Sequence, residues 1–214
     1  MLITPRINAQ ATANTRARYQ RLAPLYDRME ASAEHRFRPW REKVWALVHA
    51  PRVLEVGVGT GKNMPFWPHD ITLTAIDLTP GMLQRARQRA VELNIKAQLG
   101  LGDVQQLDFP DASFDEAVAT CVFCSVPDPI LGLRELRRVI KPGGRIILLE
   151  HMRSPQALLG KVMDIVNPLV VRLMGANINR RTIDNIQTAG WIIERAEDLG
   201  MGGIMKLVVA RSAM

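Results

Sequence analysis

Cysteine is scarce in this 214-residue chain: only Cys121 and Cys124 occur, in a C-x-x-C with no second pair. A disulfide framework and a four-ligand zinc site are thereby excluded. The two thiols close an expected strand and read as reduced packing residues rather than a redox couple. Aromatic residues make up 5%, with two tyrosines, and the four histidines leave few candidates for proton transfer. No uncharged apolar run reaches the roughly 18 residues of a membrane-spanning helix. The opening MLITPRINAQ lacks the apolar stretch of a secretory signal, so a cytoplasmic location is expected, with peripheral attachment to the inner face of a membrane as its variant. Internal repeats and low-complexity segments are also missing.

What the chain does have is apolar content and unevenly placed positive charge. At 47% hydrophobic it can bury a sizeable core as one domain. Net charge is +7, and residues 51–150 are nearly balanced, so the excess lies in residues 1–50 and 151–193. A basic surface on those flanks suits a phosphate-bearing substrate or an anionic membrane surface. No nucleic acid partner is expected, and oligomeric state is not legible.

From residue 51 onward, apolar runs alternate with helical periodicity. Strands are expected at 53–58, 72–77, 97–103, 115–123, 144–151, 191–199 and 205–211, with helices over PGMLQRARQRAVELN and PILGLRELRRVIKPGG. This alternation predicts a mostly parallel seven-stranded sheet with helices on both faces. The last two strands are joined only by GMGGI, too short for a crossover, and should pair antiparallel. The expected organisation is a helical cap (1–50), a nucleotide-binding core (51–151), a substrate-side helical segment (152–190) and terminal strands (191–214). In the cap, Phe37, Trp40, Val44 and Val48 share one helix face, with Pro24 and Pro39 as punctuation. Residues 155–174 set Leu158, Leu159, Val162, Val166, Leu169 and Leu173 opposite a stripe of Lys161, Asp164 and Arg172. Such a helix lies in a membrane interface or packs on a core, and Pro168 should kink or split it.

The chemistry centres on VLEVGVGTGKN, residues 53–63. Read as a phosphate-binding G-x-x-x-x-G-K-[ST] loop, the segment puts Val56 and Asn63 where glycine and a hydroxyl belong. Read as the dinucleotide G-x-G-x-x-G, it places its third glycine one residue early, at Gly61. The remaining pattern is an acid, Glu55, two residues before Gly57, Gly59 and Gly61. Glycines let backbone approach a ligand closely. A carboxylate there repels a pyrophosphate but attracts, directly or through water, the amino group of an amino-acid-like ligand. Two further acids end strands in register: Asp77, placed for ribose hydroxyls, and Asp103 in Gly102-Asp103-Val104, placed for an adenine amino group.

In order, LEVGVGTGKN, AIDLTPGML, LGDVQQLDFPDASFD and LRELRRVIKPGGRIILLEH resemble the class I S-adenosylmethionine-dependent methyltransferases over about residues 50–211. Within that superfamily, RYQRLAPLYDRM and GANINRRT resemble the group holding the ubiquinone/menaquinone C-methyltransferases, the bacterial phosphatidylethanolamine N-methyltransferases and the membrane-associated thiol methyltransferases. The resemblance implies a Rossmann-like fold and S-adenosyl-L-methionine as cofactor. It places Gly57, Gly59 and Gly61 at the methionine part, Asp77 at the ribose, Asp103 and Val104 at the adenine, and Leu78 and Met82 along the adenosine. Thr120 falls on the substrate side, and Tyr19 and Tyr26 lie in an arm closing over the cofactor.

Methyl transfer is an in-line displacement needing no metal. An ammonium, phenol or thiol acceptor must lose its proton, and His151, after Glu150 at the end of the fifth strand, is the candidate base, with Tyr26 beside it in the catalytic set. Asn179 and Arg180 are candidates to hold a lipid phosphate. The expected acceptor is a lipid or hydrophobic small molecule, phosphatidylethanolamine first. A quinone precursor or a thiol follows, and a non-catalytic cofactor-binding protein or a nicotinamide oxidoreductase stands in other classes.

Overall fold

The computed structural model describes residues 7–213. Residues 1–6, part of the stretch read above for a signal, and Met214 lie outside it. Two helices, α1 (Ala9–Leu22) and α2 (Tyr26–Trp45), precede β1 (Arg52–Val56), a short 3-10 helix (Met64–Phe66), β2 (Thr72–Asp77), α3 (Pro80–Glu92), β3 (Gln98–Leu101) and β4 (Phe114–Thr120). Then come α4 (Pro129–Val139), β5 (Ile140–His151), α5 (Ala157–Met174), α6 (Thr182–Thr188), β6 (Ile192–Gly200) and β7 (Met205–Arg211). One seven-stranded sheet results, in the order β3-β2-β1-β4-β5-β7-β6. β1 through β5 pair in parallel, and β7 runs antiparallel to both β5 and β6.

Local sequence explains the elements. Val53 to Val56 are all buried because β1 lies inside the sheet with layers on both faces, which is why its apolar run is continuous. Alternate residues divide between the layers. Leu54, Ala117, Ile146 and Leu148 pack with Leu133 and Leu136 of α4 and Ile186 of α6. Val53, Val118, Ile147 and Leu149 pack with Val44 and Trp45 of α2 and with Leu83 and Ala86 of α3. α4 starts where the Asp128 carboxylate accepts from the Leu131 amide with Pro129 in the first turn, and it ends with Arg137 and Arg138 in the last.

Pro39 does not punctuate the cap helices as expected, and Pro168 does not split its helix: α2 runs on through the first and α5 through the second. Both prolines are exposed, as are His35 and Asp164 four residues before them, so water meets each carbonyl that loses its helical donor. β5 also begins earlier than expected, at Ile140, with Lys141 to Gly144 forming an irregular stretch of the strand, Gly143 at a φ of +75°, rather than finishing the helix.

Candidate active site

From β1 the chain passes outward to β2 and β3 on one side, then returns to β4 and β5 on the other. The crevice at the carboxyl ends of β1 and β4 is therefore the switch point where ligands sit in open sheets of this kind. An open cavity occupies it. Its wall includes Gly57, Gly59, Asp77, Leu78, Met82, Asp103, Val104 and Thr120, and Tyr19 and Tyr26 come to it from the N-terminal helices.

The three glycines do different work. All hold positive φ, at 68°, 58° and 83° for Gly57, Gly59 and Gly61. A Cβ on Gly57 would collide with the Val122 side chain, whereas one on Gly59 would meet only the Gly57 carbonyl at 3.9 Å and so would project into open space. Gly61 is off the wall, closed by Met64 at 2.8 Å and Ala86 at 3.4 Å. It packs the loop on α3.

Asp77 is 8% exposed, with Oδ2 accepting from the Gly59 amide at 2.9 Å and Oδ1 from the Thr79 amide at 2.8 Å. Burial raises its pKa, and those two amides oppose the rise by stabilising the carboxylate. Asp103 accepts from the Gln105 amide at 2.9 Å. Ile76, Leu78, Met82 and Val104 supply apolar wall between the two acids.

Glu55, expected to attract a ligand amino group directly or through water, does not itself line the cavity. It is fully buried and off the cavity wall, accepting from Asn63 Nδ2 at 2.6 Å and Trp67 Nε1 at 2.8 Å. Burial pushes its carboxyl up to about 7, against the hydrogen bonds from Asn63 and Trp67 and the nearby Arg41 charge. Strand alternation is the cause: Glu55 shares the face of Val53, toward α2 and α3. Asn63 extends the connection, donating to Thr120 Oγ1 at 3.1 Å and accepting from Arg41 Nη1 at 2.8 Å, while Arg41 reaches Glu34 at 3.1 Å. The acid of the motif thus ties the glycine loop to α2 and β4.

The N-terminal helices close the cavity largely through polar contacts. Tyr19 hydroxyl meets Ser125 hydroxyl at 2.5 Å, Arg16 Nε donates to the Leu78 carbonyl at 3.0 Å, and Gln20 accepts from the Gly81 amide at 2.9 Å. Thr60 donates to Asp27 at 2.6 Å, and Lys62 lies 3.3 Å from Glu34 and 5.7 Å from the Tyr26 ring centre. Burial holds both tyrosine hydroxyls protonated, well above their ordinary range.

Three other expected site residues stand off the wall. His151 ends β5 beside Met205, with its side chain in no hydrogen bond among the described residues, and burial lowers its pKa. Asn179 donates to Asp164 at 3.1 Å. Arg180 stands behind the wall, donating to the Val126 carbonyl at 2.8 Å. Residues that sequence reasoning passed over fill these places. Ser125, Val126 and Pro127 follow β4 into the wall. Fully buried Glu150 accepts the Val122 and Phe123 amides at 2.7 and 3.0 Å, and burial raises its carboxyl to about 7. Ser125, Val126 and Pro127 had only their position a few residues beyond a strand end as a sequence signal, and Glu150 its place near the end of the fifth strand. Cys121 lines the cavity while burial and the Glu150 charge hold its thiol protonated, and both cysteines are free. No metal-binding cluster occurs among the described residues.

A parallel sheet with a reversed edge hairpin, carrying an acid-led GxGxG loop and strand-end acids around its switch point, defines a Rossmann-like methyltransferase architecture. Residues 54–148 match the methyltransferase domain family. The chain is 33% identical to a demethylmenaquinone methyltransferase of Deinococcus radiodurans over 74% of this chain and 68% of that protein. It is 38% identical to a phosphatidylethanolamine N-methyltransferase of Cereibacter sphaeroides over 52% of this chain and 56% of that protein, so the match spans little more than half of that relative. A crystal structure of a SAM-dependent methyltransferase from Thermotoga maritima superposes with a TM-score of 0.71 at 20% identity, covering 92% of this chain and 99% of that one. The chain belongs to the S-adenosylmethionine-dependent methyltransferases. Its cofactor is accordingly S-adenosylmethionine.

Proposed function

We propose that the protein transfers a methyl group to a lipid or lipid-like acceptor at a membrane surface, with the amine of phosphatidylethanolamine as first candidate. The observation that carries the transferase half is Asp77, a carboxylate fixed by the Gly59 and Thr79 amides on the cavity wall beside bare glycine backbone. Asp77 would take the ribose hydroxyls and Asp103 the adenine edge, with Leu78, Met82 and Val104 flanking the base. Gly57 and Gly59 would admit the methionine part. When bound, S-adenosylmethionine supplies a methyl group on a positively charged sulfur.

The chain's own contribution is alignment and exclusion of water. α1 and α2 cover the cavity, and Val122, Val126 and Pro127 make an apolar approach beside Thr120 and Tyr26. No histidine lies on the wall, whose titratable groups are Asp77, Asp103, Cys121 and the two tyrosines; with the two acids given to the cofactor, Cys121 and the tyrosines are left for the acceptor. His151 and Arg180 act, on this reading, from behind the wall rather than as direct contacts.

The lipid half is supported by similarity to the phosphatidylethanolamine enzyme over half the chain. The longer match to a demethylmenaquinone methyltransferase keeps a quinone precursor as the second reading. The deciding experiment supplies the protein and cofactor with phosphatidylethanolamine in mixed micelles, demethylmenaquinone and a small thiol in separate reactions, read by mass spectrometry. Monomethylated phosphatidylethanolamine is the expected product. Methylation of the quinone alone transfers the assignment to the second reading, and cofactor binding without turnover on any acceptor points to a non-catalytic role.

A further inference from the structure

α5 is seated on the protein by the side opposite its apolar stripe. Met163 is buried, its sulfur accepting from the Ser154 amide at 3.3 Å, and the Asn167 carboxamide accepts from the Ile178 amide at 2.9 Å. Arg153 grips Asp164 with Nε at 3.1 Å and Nη2 at 2.9 Å, fixing rotation about the helix axis. The stripe is consequently turned outward. Leu158 and Ile165 are each 79% exposed, Leu173 68%, Leu169 58%, Val162 46% and Val166 40%. These six are nearly half of the thirteen exposed large hydrophobic residues among those described, gathered on one 18-residue helix. They occupy an arc of roughly 100° of its circumference. Singly exposed apolar residues are ordinary, but a continuous stripe of this kind marks an interaction surface.

We propose that this outer face of α5 is a docking surface for an anionic lipid bilayer. Charge selects the occupant. The helix has one carboxylate, Asp164, and it is neutralised by Arg153, whereas Lys161 and Arg172 have no salt-bridge partner among the described residues. Both fall along one edge of the apolar stripe, where long basic side chains reach phosphate while their stems lie on the hydrocarbon boundary. A second copy of a chain carrying +7 would bring like charge to that edge, while an anionic bilayer complements it. With Lys161, Asp164 and Arg172 in its length, the helix lies along a membrane rather than through it, and no described helix is long and apolar enough to cross one.

The surface is continuous with the site. α5 ends at Gly175, with φ of +84°, where a Cβ would collide with Arg18 of α1. Two residues on, the Asn177 amide and side chain both donate to the Cys124 carbonyl, at 2.9 and 3.1 Å, and Arg180 holds the Val126 carbonyl. The docking helix therefore runs directly into the segment that braces the cavity wall and touches the helix covering it. Docking would deliver a bilayer lipid to that wall, a consequence that rests on the lipid-acceptor reading above.

The test compares wild type, Ile165→Ser/Leu169→Ser and Lys161→Glu/Arg172→Glu, none of which alters the cavity wall. Sedimentation with phosphatidylcholine vesicles, with and without phosphatidylglycerol, measures docking in the absence of cofactor. Turnover on a dispersed short-chain phosphatidylethanolamine measures chemistry without a bilayer. Wild type should bind the phosphatidylglycerol vesicles at low salt and release them at high salt, and each double variant should bind at least about tenfold more weakly with unchanged turnover on the dispersed lipid. Equal vesicle binding by all three proteins overturns the docking surface and leaves the lipid acceptor standing. Loss of binding in the variants with no lipid turnover by any of them supports docking and overturns the acceptor. If wild type binds no vesicles but sediments as a dimer that Ile165→Ser/Leu169→Ser converts to monomer, the face belongs to a second copy and the proposal falls.

Discussion

The Tyr19 hydroxyl lies 2.5 Å from the Ser125 hydroxyl, joining α1 to the loop after β4 across 106 positions of sequence. α1 contains no buried residue, so its hold on the core is largely polar: Tyr19 to Ser125, Arg16 to Leu78, Gln20 to Gly81 and Thr12 to Gln105. Such bonds exchange with water for a net of about 0.5–1.5 kcal/mol each, which suits a cover that must open for cofactor and product. Tyr19→Phe should therefore raise the Kd for S-adenosylmethionine by about 2- to 10-fold, measured by calorimetry, with thermal stability nearly unchanged.

Asp77→Ala should weaken cofactor binding by about 1–3 kcal/mol, through loss of charge-assisted hydrogen bonds. Because Asp77 also receives the Gly59 and Thr79 amides, the melting temperature should fall as well. Affinity measured below that melting temperature and equal to wild type would remove Asp77 from the cofactor site.

Gly57→Ala and Gly59→Ala should separate folding from binding. Both positions impose positive φ, which costs a side chain about 1–2 kcal/mol. At Gly57 the methyl also strikes Val122, adding about 1–3 kcal/mol of overpacking. Gly59→Ala should thus remain the better folded variant by denaturant titration, yet lose affinity for S-adenosylmethionine, since its methyl projects into the cavity.

Buried Glu55 gives stability a pH slope. Its carboxyl rises from 4.5 to about 7 on folding, chiefly by burial. Below pH 4.5 it is protonated in both folded and unfolded chains and burial carries no ionisation cost. As pH climbs toward 7 the unfolded chain releases its proton first, and folded stability falls by on the order of 1–3 kcal/mol. Glu55→Gln, which keeps an acceptor for Asn63 or Trp67 but cannot ionise, should gain on wild type between pH 5 and pH 8 in chemical denaturation. A constant difference across that window would show that Glu55 ionises freely.

His151→Ala should lower turnover less than about threefold, because an imidazole off the cavity wall cannot take a proton directly from the acceptor. A loss of about a hundredfold at unchanged cofactor affinity would return His151 to the chemistry.

Sequence alone determined the framework. The run VLEV before three glycines marks a strand buried on both faces that must turn sharply, and GMGGI cannot span a crossover, so the reversed β7 follows from chain length. Asp77 was legible for the same reason, since a strand-end acid after an apolar run has few places to go. What tertiary structure decided was direction. Glu55 sits in the motif, but strand alternation turns it toward Asn63 and Trp67, away from the cavity. Ser125 lies outside every motif and Glu150 only flanks a candidate in one; both gain their places because folding brings the post-β4 loop under α1 and beside β5. The periodicity of α5 revealed an apolar face without saying whether protein covers it. Period depends on the helix alone, while covering depends on which side Asp164, Met163 and Asn167 bind to the body, and those partners lie outside the helix.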